Sequence, residues 1–152
     1  MKKLLLLSLL SAIGASVSAA SDCSIYYATD SKLTAIIQEN SFKFDNYDAV
    51  CQRLKNANAK VNLRYSSAIN VRQTTAVVVA TVDDINLPII SNLYRTSMRS
   101  SPERTTVMEK VALMDAVNDV LNGINQSDID DLNTNRKKLG FKTYPASASI
   151  NK

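Results

Sequence analysis

Histidine is absent from this chain, and glycine, proline and cysteine are scarce, at three, three and two residues. Without histidine, neither Ser-His-Asp nor Cys-His catalysis can be assembled, and no imidazole can ligate a metal. No glycine-rich phosphate loop is present, which removes that route to nucleotides. So few glycines and prolines leave little room for long irregular linkers. Internal repeats and low-complexity tracts are also lacking.

The two cysteines, Cys23 and Cys51, do not form a Cys-x-x-Cys pair, which argues against a redox or metal site. The start of the chain explains them better. Met1-Lys2-Lys3 is basic, Leu4 to Leu10 is apolar except for Ser8, and Gly14 to Ala20 is small except for Val17. That three-part layout is a secretory signal peptide, with cleavage after Ala19 or Ala20. The apolar run falls short of the roughly 20 residues of a membrane span. Asp22 before Cys23 stands where a lipid-modified cysteine would need a small residue. In the oxidising compartment that export implies, bacterial periplasm or the outside of the cell, two cysteines pair. A Cys23–Cys51 bridge is therefore expected, worth roughly 3–4 kcal/mol by loop closure.

Removal of Lys2 and Lys3 lowers the formal charge of +4 to +2. That suits solubility and gives no footprint for nucleic acid. What remains, about 130 residues, fits one domain. The expected organisation is a signal peptide over 1–20, a single domain over 21–143 and a flexible polar tail over 144–152, with no transmembrane anchor after cleavage.

Asp30 or Ser31 can cap a short helix bearing Leu33, Ile36 and Ile37. Tyr47, Val50, Cys51, Leu54 and Ala57 mark one face of a second helix. The period then changes to two: Val61, Leu63 and Tyr65 alternate with polar residues, and 73–82 is rich in β-branched residues. A hairpin turn over 68–70 joins these strands, Asp83-Asp84 ends the second in solvent, and 90–98 reads as a third. Ser101-Pro102-Glu103 reads as the start of a helix carrying Val107, Val111, Met114, Val117, Leu121 and Ile124. Gly123 would end it in a left-handed turn. A last helix starts at Ser127, acidic first and basic last, with Gly140 after it. The fold class expected is α+β, a small antiparallel sheet of two to four strands covered on one face by helices, in the order ααβββαα.

Chemistry is harder to place. A carboxylate pair of the glycosidase kind is the remaining enzymatic route. Glu39, Asp83, Asp84, Glu103 and Glu109 are available, and no spacing singles out two of them. Asp128, Asp130 and Asp131 resemble a calcium-loop fragment, but Asn133 and Leu139 stand where that loop needs Gly and Glu. Tyr94, Arg95, Arg99 and Arg104 cluster in 85–101 and its exit, a stretch expected to be irregular. They are the candidate binding residues, for an envelope or extracellular protein or an anionic polysaccharide. No cofactor and no metal is expected. The sequence thus points to an exported, non-enzymatic binding protein, an inhibitor or adaptor, with a cell-wall hydrolase or a secreted toxin as alternatives.

Overall fold

The computed structural model describes residues 23–144. The expected signal peptide, and the tail beyond Tyr144, lie outside the described residues. The elements run β1 (Tyr27–Ala28), α1 (Ser31–Asn40), α2 (Tyr47–Asn56), β2 (Ala59–Ile69), β3 (Thr74–Asp84), β4 (Ile90–Ser101), α3 (Thr106–Asn122) and α4 (Gln126–Lys138). The sheet order is β1-β2-β3-β4. Strands β2, β3 and β4 form an antiparallel meander, while β1 lies parallel to β2. The α+β class holds. The order gains one leading strand, whose two residues are too short to show a period.

Alternation decides which face is covered. Along β3, Thr74, Ala76, Val78, Ala80 and Val82 are buried, while Thr75, Val77, Val79 and Thr81 are only half-buried. The buried set packs under the helices, α3 across β3 and β4, α2 on β2, and α4 over the start of β4. Leu33, Leu54, Leu63, Val78, Leu113, Val117 and Leu121 fill the layer between them. Among the described residues, no helix packs on the opposite face of the sheet.

Three of the four described helix starts, those of α1, α3 and α4, follow capping chemistry. Asp30 accepts the Leu33 N–H, and Thr105 accepts the Met108 N–H. Asn125 accepts the Ser127 N–H, while Asp128 accepts the Asn125 N–H in return, a reciprocal cap. Cys23 and Cys51 form the expected disulfide, with Cα atoms 6.0 Å apart. It ties the segment before β1 to the buried face of α2.

Five local expectations need correction. Strand β4 runs to Ser101, and α3 starts only at Thr106. Pairing of Ser101 with Thr74 extends the ladder through the serine, so Ser101-Pro102-Glu103 turns the chain instead of opening a helix. The irregular stretch shrinks to 85–89, because 90–101 is strand. Gly123 ends α3 with φ −79°, outside the left-handed region; Gly140 after α4 has φ +76°. Asp83 and Asp84 are both buried and still in strand. Val107 and Val111 face solvent, since the buried stripe of α3 runs through Ala112, Leu113, Ala116, Val117, Val120 and Leu121.

Candidate functional site

Because 90–101 is a strand, neighbours in sequence part to opposite faces. Arg95, Ser97 and Arg99 turn toward the helices. Tyr94, Thr96 and Met98 turn to the uncovered face. The four candidate binding residues are therefore not brought together.

On the helix side both arginines are held by aspartates. Arg95 donates from Nε and Nη2 to the two oxygens of Asp128, at 3.2 and 2.8 Å. Arg99 makes the same fork with Asp119, both bonds 2.7 Å, and Ser97 Oγ adds a third donor to that carboxylate. Hydrogen bonding from Arg99 holds the Asp119 carboxyl below its ordinary range despite partial burial. Arg104 donates to the Val71 carbonyl at 2.8 Å, tying the β4–α3 turn to the β2–β3 hairpin.

On the uncovered face, cross-strand pairing sets the rows: Asn62, Thr81 and Tyr94; Arg64, Val79 and Thr96; Ser66, Val77 and Met98. Three large side chains stand out along β4, with Ile90, Tyr94 and Met98 at 53%, 68% and 67% exposure. Beside them is a depression of about 300 Å³ lined by Asn62, Arg64, Val79, Thr81, Ile90 and Tyr94. An apolar patch with a polar rim, on a rigid sheet, has the anatomy of an interaction surface. Of the expected residues, Tyr94 belongs to it. Ile90, Met98 and Arg64 were missed, although the even spacing of Ile90, Tyr94 and Met98 was a signal available in the sequence.

The carboxylates behave as structural anions. Glu109 accepts from Ser67 Oγ at 2.5 Å and from Lys32 at 3.2 Å. The Ser67 bond is the chief cause of its lowered pKa, with Lys32 adding to it. Burial pushes Asp131 and Asp84 upward, and hydrogen bonds outweigh that push in both: from Asn92 and Ser91 for Asp131, and from Asn86, Arg136 and Leu87 for Asp84. Asp45, Asp115 and Asp119 do line a common depression of about 320 Å³ with Lys43, Arg99 and Asn118. A glycosidase acid needs a raised pKa, and the displacement at Asp119 runs the other way. Among the described residues, no group of three or more Cys, Asp or Glu is placed to hold a metal ion. No described helix is long and apolar enough to cross a membrane.

Geometry thus defines, among the described residues, a small disulfide-tied α+β domain with helices on one face of its sheet and none on the other. No family model matches this chain, and no curated protein or solved structure matches it.

Proposed function

We propose that this chain is an exported, non-enzymatic binding protein of the bacterial periplasm or extracellular space, and that the open sheet face around Tyr94 and Met98 meets its partner. The observation that carries the reading is the row of exposed Ile90, Tyr94 and Met98 on one rigid edge strand. Large apolar side chains cost solubility when left in water, and grouped ones mark interaction sites. Tyrosine and methionine suit such a surface, as rigid contact area and adaptable filler. Export is supported by the signal-peptide layout of 1–20 and by the Cys23–Cys51 bridge. A protein partner fits better than an anionic polysaccharide, because Arg95 and Arg99 are already neutralised by Asp128 and Asp119.

A photo-crosslinking side chain introduced at position 94 or 98, in the native host, tests this. Both positions are expected to give one common protein adduct in the envelope or culture medium. The same group at Lys110, on the outer side of α3, is the control. Adducts absent at 94 and 98, or equal at all three positions, refute the open face as the binding surface.

A further inference from the structure

The depression on the open face has a floor and two walls. Val79 and Thr81 of β3 form the floor, Asn62 and Arg64 of β2 one wall, and Ile90 and Tyr94 of β4 the other. Two of its polar side chains are already spent. Asn62 Nδ2 and Thr81 Oγ both donate to Asp83, at 3.1 and 3.0 Å. Asp83 itself is buried, and Lys60 stands opposite it in the ladder.

Arg64 is not spent. Arg95, Arg99, Arg104 and Arg136 each donate to a carboxylate or a carbonyl of the chain. Among the described residues, the exposed Arg64 guanidinium has no carboxylate within ion-pair distance and no hydrogen bond. Asp30 shares a second depression with Arg64, but its Oδ1 accepts the Leu33 N–H and the Tyr65 hydroxyl. The Tyr94 hydroxyl is likewise without a partner among the described residues. An arginine in open water needs no partner. One beside an apolar depression, on a face whose own carboxylate is buried and bonded, sets the sign of what can be seated there.

We propose that the partner is a protein that seats an apolar side chain in this depression, over Val79 and against Ile90, and places a neighbouring aspartate or glutamate on Arg64. A guanidinium grips a carboxylate in a two-pronged contact, and the Tyr94 hydroxyl adds a second donor. Apolar walls shed water as the partner docks, which strengthens the ion pair. The charge is complementary in one sense only. Lys60 and Arg64 stand on this side of the sheet, so a basic partner, or a second copy laid face to face, would set cation against cation. Size favours a protein over a small carboxylate. A volume of about 300 Å³ is the lower limit of small-molecule sites, which enclose most of their ligand. The exposed row also runs on past the depression to Met98, where only a larger surface reaches. The inference rests on the open-face reading and adds the chemistry of the group that makes contact.

The probe is the photo-crosslinking side chain at position 98, one row beyond the depression, in the native host. Combined with Arg64→Glu, its adduct yield should fall at least about tenfold. Arg64→Gln should lower the yield less and Arg64→Lys least, all at unchanged Tm because position 64 is exposed. Mass spectrometry of the adduct formed at position 94 should find an aspartate or glutamate beside an apolar residue. Changing that acid to lysine in the partner should restore the adduct with the Arg64→Glu chain and weaken it with the unchanged chain. A yield indifferent to Arg64→Glu, or no rescue by the swapped charges, overturns the proposal and leaves the open-face reading standing. The absence of a common adduct at 94 and 98 removes both. A self-adduct, with a dimer by ultracentrifugation, gives the face to a second copy and overturns the proposal. Saturable binding of decanoate, seen as NMR shifts at Ile90 and Tyr94, with an adduct indifferent to Arg64, gives the depression to a small carboxylate and also overturns it.

Discussion

Arg136 and Asp84 form an ion pair with no solvent access, side-chain exposures 0% and 2%. Arg136 Nε donates to Asp84 Oδ2 at 2.8 Å, Nη2 to the Asn58 carbonyl and Nη1 to Asn133 Oδ1. Asp84 Oδ1 accepts the N–H groups of Asn86 and Leu87. The Tyr144 ring covers the guanidinium at 4.6 Å. One side chain thus fastens the last turn of α4 to the end of β3 and to the α2–β2 junction, where Asn58 is left-handed at φ 49°.

Removing one partner of a buried pair leaves the other charged and dry, so Arg136→Ala should cost about 3–5 kcal/mol. An apolar replacement of both partners often restores such a loss. Here it should not, because Asp84→Leu with Arg136→Met strands the Asn86 and Leu87 N–H groups and the Asn58 carbonyl. Urea denaturation of the two variants checks this, and a double variant as stable as wild type would show that the backbone contacts contribute little.

The Cys23–Cys51 bridge joins residues 28 apart and is buried at both ends. By the loop-closure model, Cys23→Ser with Cys51→Ser should lower stability by about 2–4 kcal/mol. Alkylation of the native, unreduced protein should find no free thiol. Free thiols would refute the pairing, and an unchanged urea midpoint in the double variant would show that the bridge is dispensable for stability.

Element types were largely legible because their periods are strong. Leu33, Ile36 and Ile37, then Val50, Cys51 and Leu54, repeat at helical spacing and are all buried. The errors fall where tertiary pairing overrides a local signal. Ser101-Pro102-Glu103 has the chemistry of a helix start, yet Thr74 across the ladder keeps Ser101 in strand. Asp83-Asp84 reads as a solvated stop because nothing nearby in sequence announces Arg136. The candidate site was read as a cluster because Tyr94, Arg95 and Arg99 are close along the chain. Once 90–101 is a strand, adjacency in sequence means separation in space.

Stability should be flat between about pH 5 and 8, because no histidine titrates there. Asp84, Glu109, Asp119 and Asp131 all have carboxyl pKa values lowered by folding. The unfolded chain therefore takes up protons first as the pH falls. The stability these groups give is complete above their ordinary values near 4 and is lost as the pH drops below that. Arg99 and Asp119 are 50% and 36% exposed, so solvent screening makes their share small. Glu109→Gln should flatten part of the acid limb in urea midpoints measured against pH. A decline already present between pH 8 and 5 would contradict the assignment.

Adjacent residues on β4 should respond in opposite ways to the same substitution. Tyr94 is 68% exposed on the open face, so Tyr94→Ala should change stability by less than about 0.5 kcal/mol. Arg95 is one residue on and faces the helices, where it is bonded to Asp128, a carboxylate only 2% exposed. Arg95→Ala removes the fork and leaves Asp128 buried with its reciprocal cap to Asn125 and no cation. A loss of about 2–4 kcal/mol should follow, below the full cost of a wholly buried pair because the arginine itself is 31% exposed. Arg95→Lys should recover little, since an ammonium cannot replace the two-pronged contact. Thermal and urea unfolding of the three variants decides it. Equal, small effects at positions 94 and 95 would mean that the arginine is a solvated surface residue and that the alternation assigned to β4 is out of phase.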